Sequence, residues 1–169
     1  MDIRIEKSYQ VRIPFDVEAS VRKLLHKIPN EHLLGLAAII LVDQVTHKRN
    51  KKSGGLYLQK KGQDPAKIEI AIDSIYKGVP KFIFFLPFIV KFMLANVLFH
   101  EIGHHYMHHT HGVTKREEEN FAEKYRKQML KRTFFWWRLL LLPLSPLIRW
   151  LNRIAHRGTN KQEVRGSGF

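Results

Sequence analysis

The sequence predicts an α+β chain: a small mixed or antiparallel sheet packed on one buried helix, and a second helix running back antiparallel to the first. Three observations predict it. Short segments around Ile3–Ile5, Leu56–Gln59 and Ile68–Asp73 alternate with the two-residue period of half-buried strands. An apolar run from Pro87 to Phe99 continues unbroken into polar residues spaced for one helical face. Gly112 then permits a turn, and Thr114-Lys115-Arg116-Glu117 has the spacing of a capping box at the start of another helix.

The elements follow in order. Asp2 to Pro14 alternates around Ile3, Ile5, Val11 and Ile13 and reads as a short strand with an extended continuation. Asp16 can cap a helix to about Lys27, with Val17, Val21, Leu24, Leu25 and Ile28 on its apolar side. Pro29 stops it, because the residue before proline is pushed out of the helical region. Leu33 to Val42 is almost wholly apolar, and its Ile39-Ile40-Leu41-Val42 core suggests a buried strand. Thr46 to Gly55 is a basic loop. Gly62-Gln63-Asp64-Pro65 turns the chain between the strands at 56–59 and 68–73. Phe82 to Phe99 has only Lys91 and Asn96 as clearly polar residues, and its length approaches that of a membrane span. Pro87 interrupts it and Lys91 sits mid-way, where a charge in a bilayer costs at least ~2.5 kcal/mol. The segment is expected to be a loop to about Leu86, then a buried helix from Pro87, a residue suited to a first helical turn.

That helix carries the most informative stretch of the chain, His100-Glu101-Ile102-Gly103-His104. At 3.6 residues per turn, His100 and His104 stack on one face, where two neutral imidazoles can share one zinc at about 2.0–2.1 Å. Glu101 sits beside that face, where its carboxylate can take a proton from a water activated by the ion. Gly103 costs a helix about 1 kcal/mol relative to alanine, which makes sense where another backbone or a substrate approaches closely. The bland alternative is a histidine-rich helix end without metal. It leaves unexplained why so many polar groups follow an apolar, buried run.

A tetrahedral catalytic zinc needs a third protein ligand. The metzincin pattern would require a glycine at position 107 and a histidine at 110, and the chain has Met107 and Thr110. His108 and His111 continue the same stripe and are expected to face solvent. The next helix, from Thr114 to about Arg132, is the better source. Its Phe121, Ala122, Tyr125 and Met129 are expected to point inward. In an antiparallel hairpin the zinc level lies about 10 Å from the turn. Glu119 lies about 7 Å and Glu123 about 13 Å up the returning helix, so both have the right height. By helical phase Glu118 points nearer the inward face than Glu119 does. The acidic first turn also complements the helix dipole without any metal.

His100-Glu101-x-x-His104 followed by Glu119-x-x-Ala122-Glu123 resembles the gluzincin pattern of H-E-x-x-H and a downstream E-x-x-A with an acidic residue or asparagine. It is similar to minimal gluzincins and to ImmA/IrrE-type and HtpX-type metallopeptidases, and the strand before the active-site helix matches as well. The resemblance covers residues 33–130 approximately; the last forty residues or so match nothing we can name. It implies a zincin-like packing and a zinc metallopeptidase holding one zinc per chain through His100, His104 and Glu119. Glu101 would be the general base and Glu123 the acceptor that orients a histidine N–H. Candidate donors for a developing oxyanion are Tyr57, Tyr125 and His156. A peptide or protein substrate would add as a strand along Leu56–Gln59, an expected sheet edge following a flexible Ser53-Gly54-Gly55.

The 169 residues carry a net charge of +14, which implies an anionic partner surface. From Lys124 to Arg165 cations outnumber acids eleven to one, and they are mixed with Leu and Trp. That mixture suits a membrane surface better than nucleic acid. The expected organisation is a peptidase domain over 1–132, an apolar and basic segment over 133–157, and a disordered tail over 158–169. Pro143 and Pro146 break the middle segment, so neither half is long enough to span a bilayer. It either packs on the fold, or forms a dimer contact, or anchors at a membrane surface. Cysteine is absent, which excludes a disulfide framework and a thiol nucleophile. The first residues lack a secretory pattern, so the expected location is cytoplasmic, peripheral to the membrane if the segment anchors. The alternative function is a non-catalytic basic module that binds a lipid surface, nucleic acid or a protein partner.

Overall fold

The structure is a computed structural model that describes residues 3–46, 53–110 and 115–135. The chain divides into two units, Met1–Thr133 and Phe134–Phe169; of the second, Phe134 and Phe135 alone are among the described residues. The expected segment 133–157, the tail 158–169, His111, Thr114 and His156 therefore lie wholly or mostly outside the described residues.

The first unit is α+β. Four strands, β1 (Arg4–Ser8), β2 (Leu36–Val42), β3 (Gly55–Leu58) and β4 (Ala66–Ala71), form one sheet in the order β1-β2-β4-β3. β1, β2 and β4 are parallel, with Ile5 opposite Ile39 and Ile39 opposite Ile68. β3 runs antiparallel to β4, with Tyr57 opposite Ile68, and is an edge strand. The sheet is thus mixed. Parallel strands are covered on both faces, which is why β2 reads as a near-continuous apolar run; β4 alternates, and its buried Glu69 carboxylate is bonded by Thr46. Ala38, Ile39, Leu41, Ile68, Ile70 and Ala71 are all essentially inaccessible.

Helix α1 (Val17–Leu25) starts where the sequence places it. Asp16 accepts a hydrogen bond from the Ala19 N–H at 3.0 Å, satisfying one of the donors that a helix start leaves open. Val17, Ser20, Val21 and Leu24 are its buried stripe. A 3-10 turn, Asn30–Leu33, delays β2 to Leu36, after Gly35 at φ 82° has reversed the chain. A second boundary also differs from the alternating pattern. β4 ends at Ala71, and the strand expected to reach Asp73 gives way to α2 (Ile72–Tyr76). Ile72, Ile75 and Tyr76 are buried at helical spacing, and the Asp73 N–H leaves the ladder to bond the Asp43 carbonyl at 3.1 Å. The expected loop at 82–86 is mostly a 3-10 turn, Lys81–Phe85.

Helices α3 (Pro87–Thr110) and α4 (Lys115–Thr133) follow. Val90, Leu94, Ala95, Leu98, Phe99 and Ile102 form the buried side of α3, which lies against β3, β4, α1 and both 3-10 turns. The two helices are antiparallel. Asn96 meets Arg126 at 2.6 Å, Gly103 meets Ala122, and His108 meets Glu118 at 2.8 Å. The backbones cross at Gly103, where an added Cβ would sit 2.7 Å from Ala122 Cα and 3.2 Å from its carbonyl oxygen. This is the close approach that the helical glycine implied. Among the described residues, no helix is long and apolar enough to cross a membrane.

Candidate metal centre

The turn of α3 that carries the two histidines faces the first turns of α4 on one side and β3 on the other. Between them lies a cleft of about 290 Å³, lined by Gly55, Tyr57, His100, Glu101, His104, His108, Glu118 and Glu119 among others. His100 Nε2 and His104 Nε2 are 3.2 Å apart. Glu119 Oε2 lies 3.7 Å from each of them. Three donor atoms held tetrahedrally at 2.0–2.1 Å from a common ion would be about 3.3–3.4 Å from one another. The observed triangle is close to that, so His100, His104 and Glu119 form a group that could hold a metal ion.

The protonation pattern suits the same use. His104 Nδ1 donates to Glu118 Oε1 at 2.8 Å, which leaves the lone pair of a neutral His104 on Nε2, facing the cleft. His100 is pushed below the usual histidine range, first by burial and then by the neighbouring His104, which favours the neutral form of His100. Its buried Nδ1 has no hydrogen-bond partner.

Glu101 is 6% exposed. Burial pushes its carboxyl up to about 8; the Tyr57 backbone N–H, donating to it, opposes the shift, and the Glu119 and Glu118 charges add to it. A cation in the cleft is the opposite charge that would draw the group back to carboxylate. β3 reaches Glu101 because its first residue has no side chain. A Cβ on Gly55 would lie 2.7 Å from Glu101 Cγ and 2.9 Å from Glu101 Oε1. The Gly54-Gly55 pair, read from sequence as flexibility, serves a close contact instead.

Three expected positions come out differently. Glu123 does not orient a histidine: its carboxylate takes Arg126 at 2.6 Å and Lys127 at 3.1 Å, the i+3 and i+4 cations of its own helix. The acceptor on His104 is Glu118, the residue whose helical phase pointed inward. Tyr125 does not line the cleft. Its hydroxyl meets His32 Nδ1 at 2.9 Å, within an aromatic cluster that includes Tyr106 and Phe121. His108 is not a free surface side chain, since its Nε2 donates to the same Glu118 oxygen at 2.8 Å and its ring lies 5.5 Å from that of Tyr57. Tyr57 does line the cleft, its ring 5.5 Å from those of His105 and His108.

This geometry predicts a contrast between neighbours on α4. Glu118→Ala should weaken metal binding about 10- to 100-fold, the usual loss when a ligand's orienting partner is removed. Glu123→Ala should leave it within about twofold, because its partners are cations that do not touch the histidines. Competition titration with a chromogenic chelator measures both. No protein-family model, no curated protein and no solved structure matches this chain.

Proposed function

We propose that the chain is a zinc-dependent metallopeptidase of gluzincin type, with a zincin-like arrangement of sheet, active-site helix and glutamate-bearing helix. The observation that carries this reading is the convergence of His100 Nε2, His104 Nε2 and Glu119 Oε2 within 3.7 Å of one another, beside the buried Glu101 carboxyl in the same cleft. Two imidazoles and one carboxylate, with room for a fourth position in an open cleft, are a donor set that suits catalytic zinc. Zinc bound there would supply Lewis-acid polarisation of a scissile carbonyl and make a water more acidic.

The chain's own residues do the rest. Glu101 accepts the proton of the attacking water and returns it to the leaving amine; its position is held by the Tyr57 N–H. Glu118 holds the ring of His104 in the tautomer that offers Nε2. β3 borders the cleft and is an edge strand, so an extended peptide can add along it with its scissile bond near Glu101. Among the described candidates for oxyanion donor, Tyr57 is the one that lines the cleft. A non-catalytic basic module has no use for a buried carboxyl beside paired histidines, where it costs desolvation.

The test is peptide hydrolysis by the full chain on a mixed fluorogenic peptide library. Cleavage is expected to stop on dialysis against a zinc chelator and to return with added zinc. Cleavage that persists without metal would count against the proposal.

A further inference from the structure

We propose that the 3-10 turn Lys81–Phe85, with Leu86, is a lipid-binding wedge that seats on an anionic bilayer surface. None of the five residues of this turn, Lys-Phe-Ile-Phe-Phe, is buried. Phe82 is 64% exposed, Phe85 85% and Leu86 38%. In a 3-10 helix residues i and i+3 eclipse one another, so Phe82 and Phe85 stand on one face. Phe84 turns the other way and anchors the turn, its ring 6.4 Å from Phe15 and 6.0 Å from Tyr76. The Ile83 N–H bonds the Pro80 carbonyl and the Leu86 N–H bonds the Ile83 carbonyl, both at 2.9 Å. With a proline on either side, at 80 and 87, the wedge is pre-formed.

Charge selects the occupant. Beside the wedge lies a groove of about 580 Å³ bordered by the cations Arg12, Lys77 and Lys81. Asp73 is the one acid among its lining residues and is itself ion-paired with Lys77 at 3.6 Å. From Ser74 to His100 the sequence contains no acidic residue and three lysines. Aromatic side chains that enter the acyl boundary, with cations beside them at headgroup level, are the chemistry of interfacial membrane binding. This surface is separate from the metal cleft, so the inference stands or falls independently of the peptidase reading.

The test is co-sedimentation of the full chain with vesicles of phosphatidylcholine alone, or containing about 30% phosphatidylserine. The wild type should bind the anionic vesicles and release as salt rises. The double variant Phe82→Ser/Phe85→Ser should bind them at least about tenfold less. Lys81→Glu, which keeps both rings, should also bind them less. Circular dichroism should report an unchanged melt for both variants, because the replaced side chains are exposed. Absence of vesicle binding by the wild type would overturn the proposal. So would wild-type binding by a folded double variant, which would assign the contact to another part of the chain, such as residues 134–151. A double variant that lost self-association, with no vesicle binding in either protein, would assign the wedge to a second copy of the chain and overturn it too.

Discussion

Glu101→Gln is expected to lower peptide hydrolysis by about 10²- to 10⁴-fold while the protein keeps its zinc. Glutamine has nearly the same shape, and its carbonyl oxygen can still accept the Tyr57 N–H that holds Glu101. It therefore preserves the contact with β3 and the packing against Gly55, where any enlargement would clash. It also removes a buried titratable group, so no loss of fold is expected. What it cannot do is accept a proton. The loss should fall on kcat, since a missing base affects the transition state and not the binding of a peptide along β3. Full activity in a zinc-replete glutamine variant would remove Glu101 from the chemistry.

Gly103→Ala is expected to destabilise the first unit and to weaken zinc binding together. Two effects oppose each other. Alanine in place of a helical glycine gains about 1 kcal/mol in propensity. The new methyl would meet α4 at 2.7 Å from the Ala122 Cα, a backbone atom that cannot rotate away. Overpacking of this kind costs about 1–3 kcal/mol, so the clash wins. The only relief is for α3 and α4 to separate. His100 and His104 stand on one helix and Glu118 and Glu119 on the other, so separation opens the 3.7 Å triangle and the 2.8 Å His104–Glu118 bond. A thermal melt of the metal-free protein and a zinc titration test the pair. A variant more stable than the wild type, with unchanged zinc affinity, would mean that the helices do not cross here.

The sequence made the helical hairpin and its glycine contact legible because period and glycine cost are local properties. The paired histidines are legible for the same reason, since a four-residue spacing on one helix fixes their common face. Roles that depend on how α4 is rotated against α3 are harder to read. Glu118 and Glu119 differ by one residue, about 100° of phase. That is enough to send one carboxylate to His104 Nδ1 and the other to both Nε2 atoms, and the acidic run alone does not say which. Glu123 has the height for the site, but cations three and four residues on compete for it locally. Tyr125 is buried as its period indicates, yet its hydroxyl finds His32, a partner 93 positions away that no local pattern encodes. The end of β4 escapes notice because Ile72 continues the alternation and also begins the apolar stripe of α2.

Whether His100, His104 and Glu119 hold a zinc ion is tested most directly by elemental analysis of zinc per chain in the wild type and Glu119→Ala side by side. About one zinc is expected in the wild type and a sharp reduction in the variant, since two imidazoles alone make an incomplete site. No zinc in the wild type, even after refolding in its presence, would contradict that expectation, and the two histidines would then be no more than a hydrogen-bonded pair at the end of a buried helix.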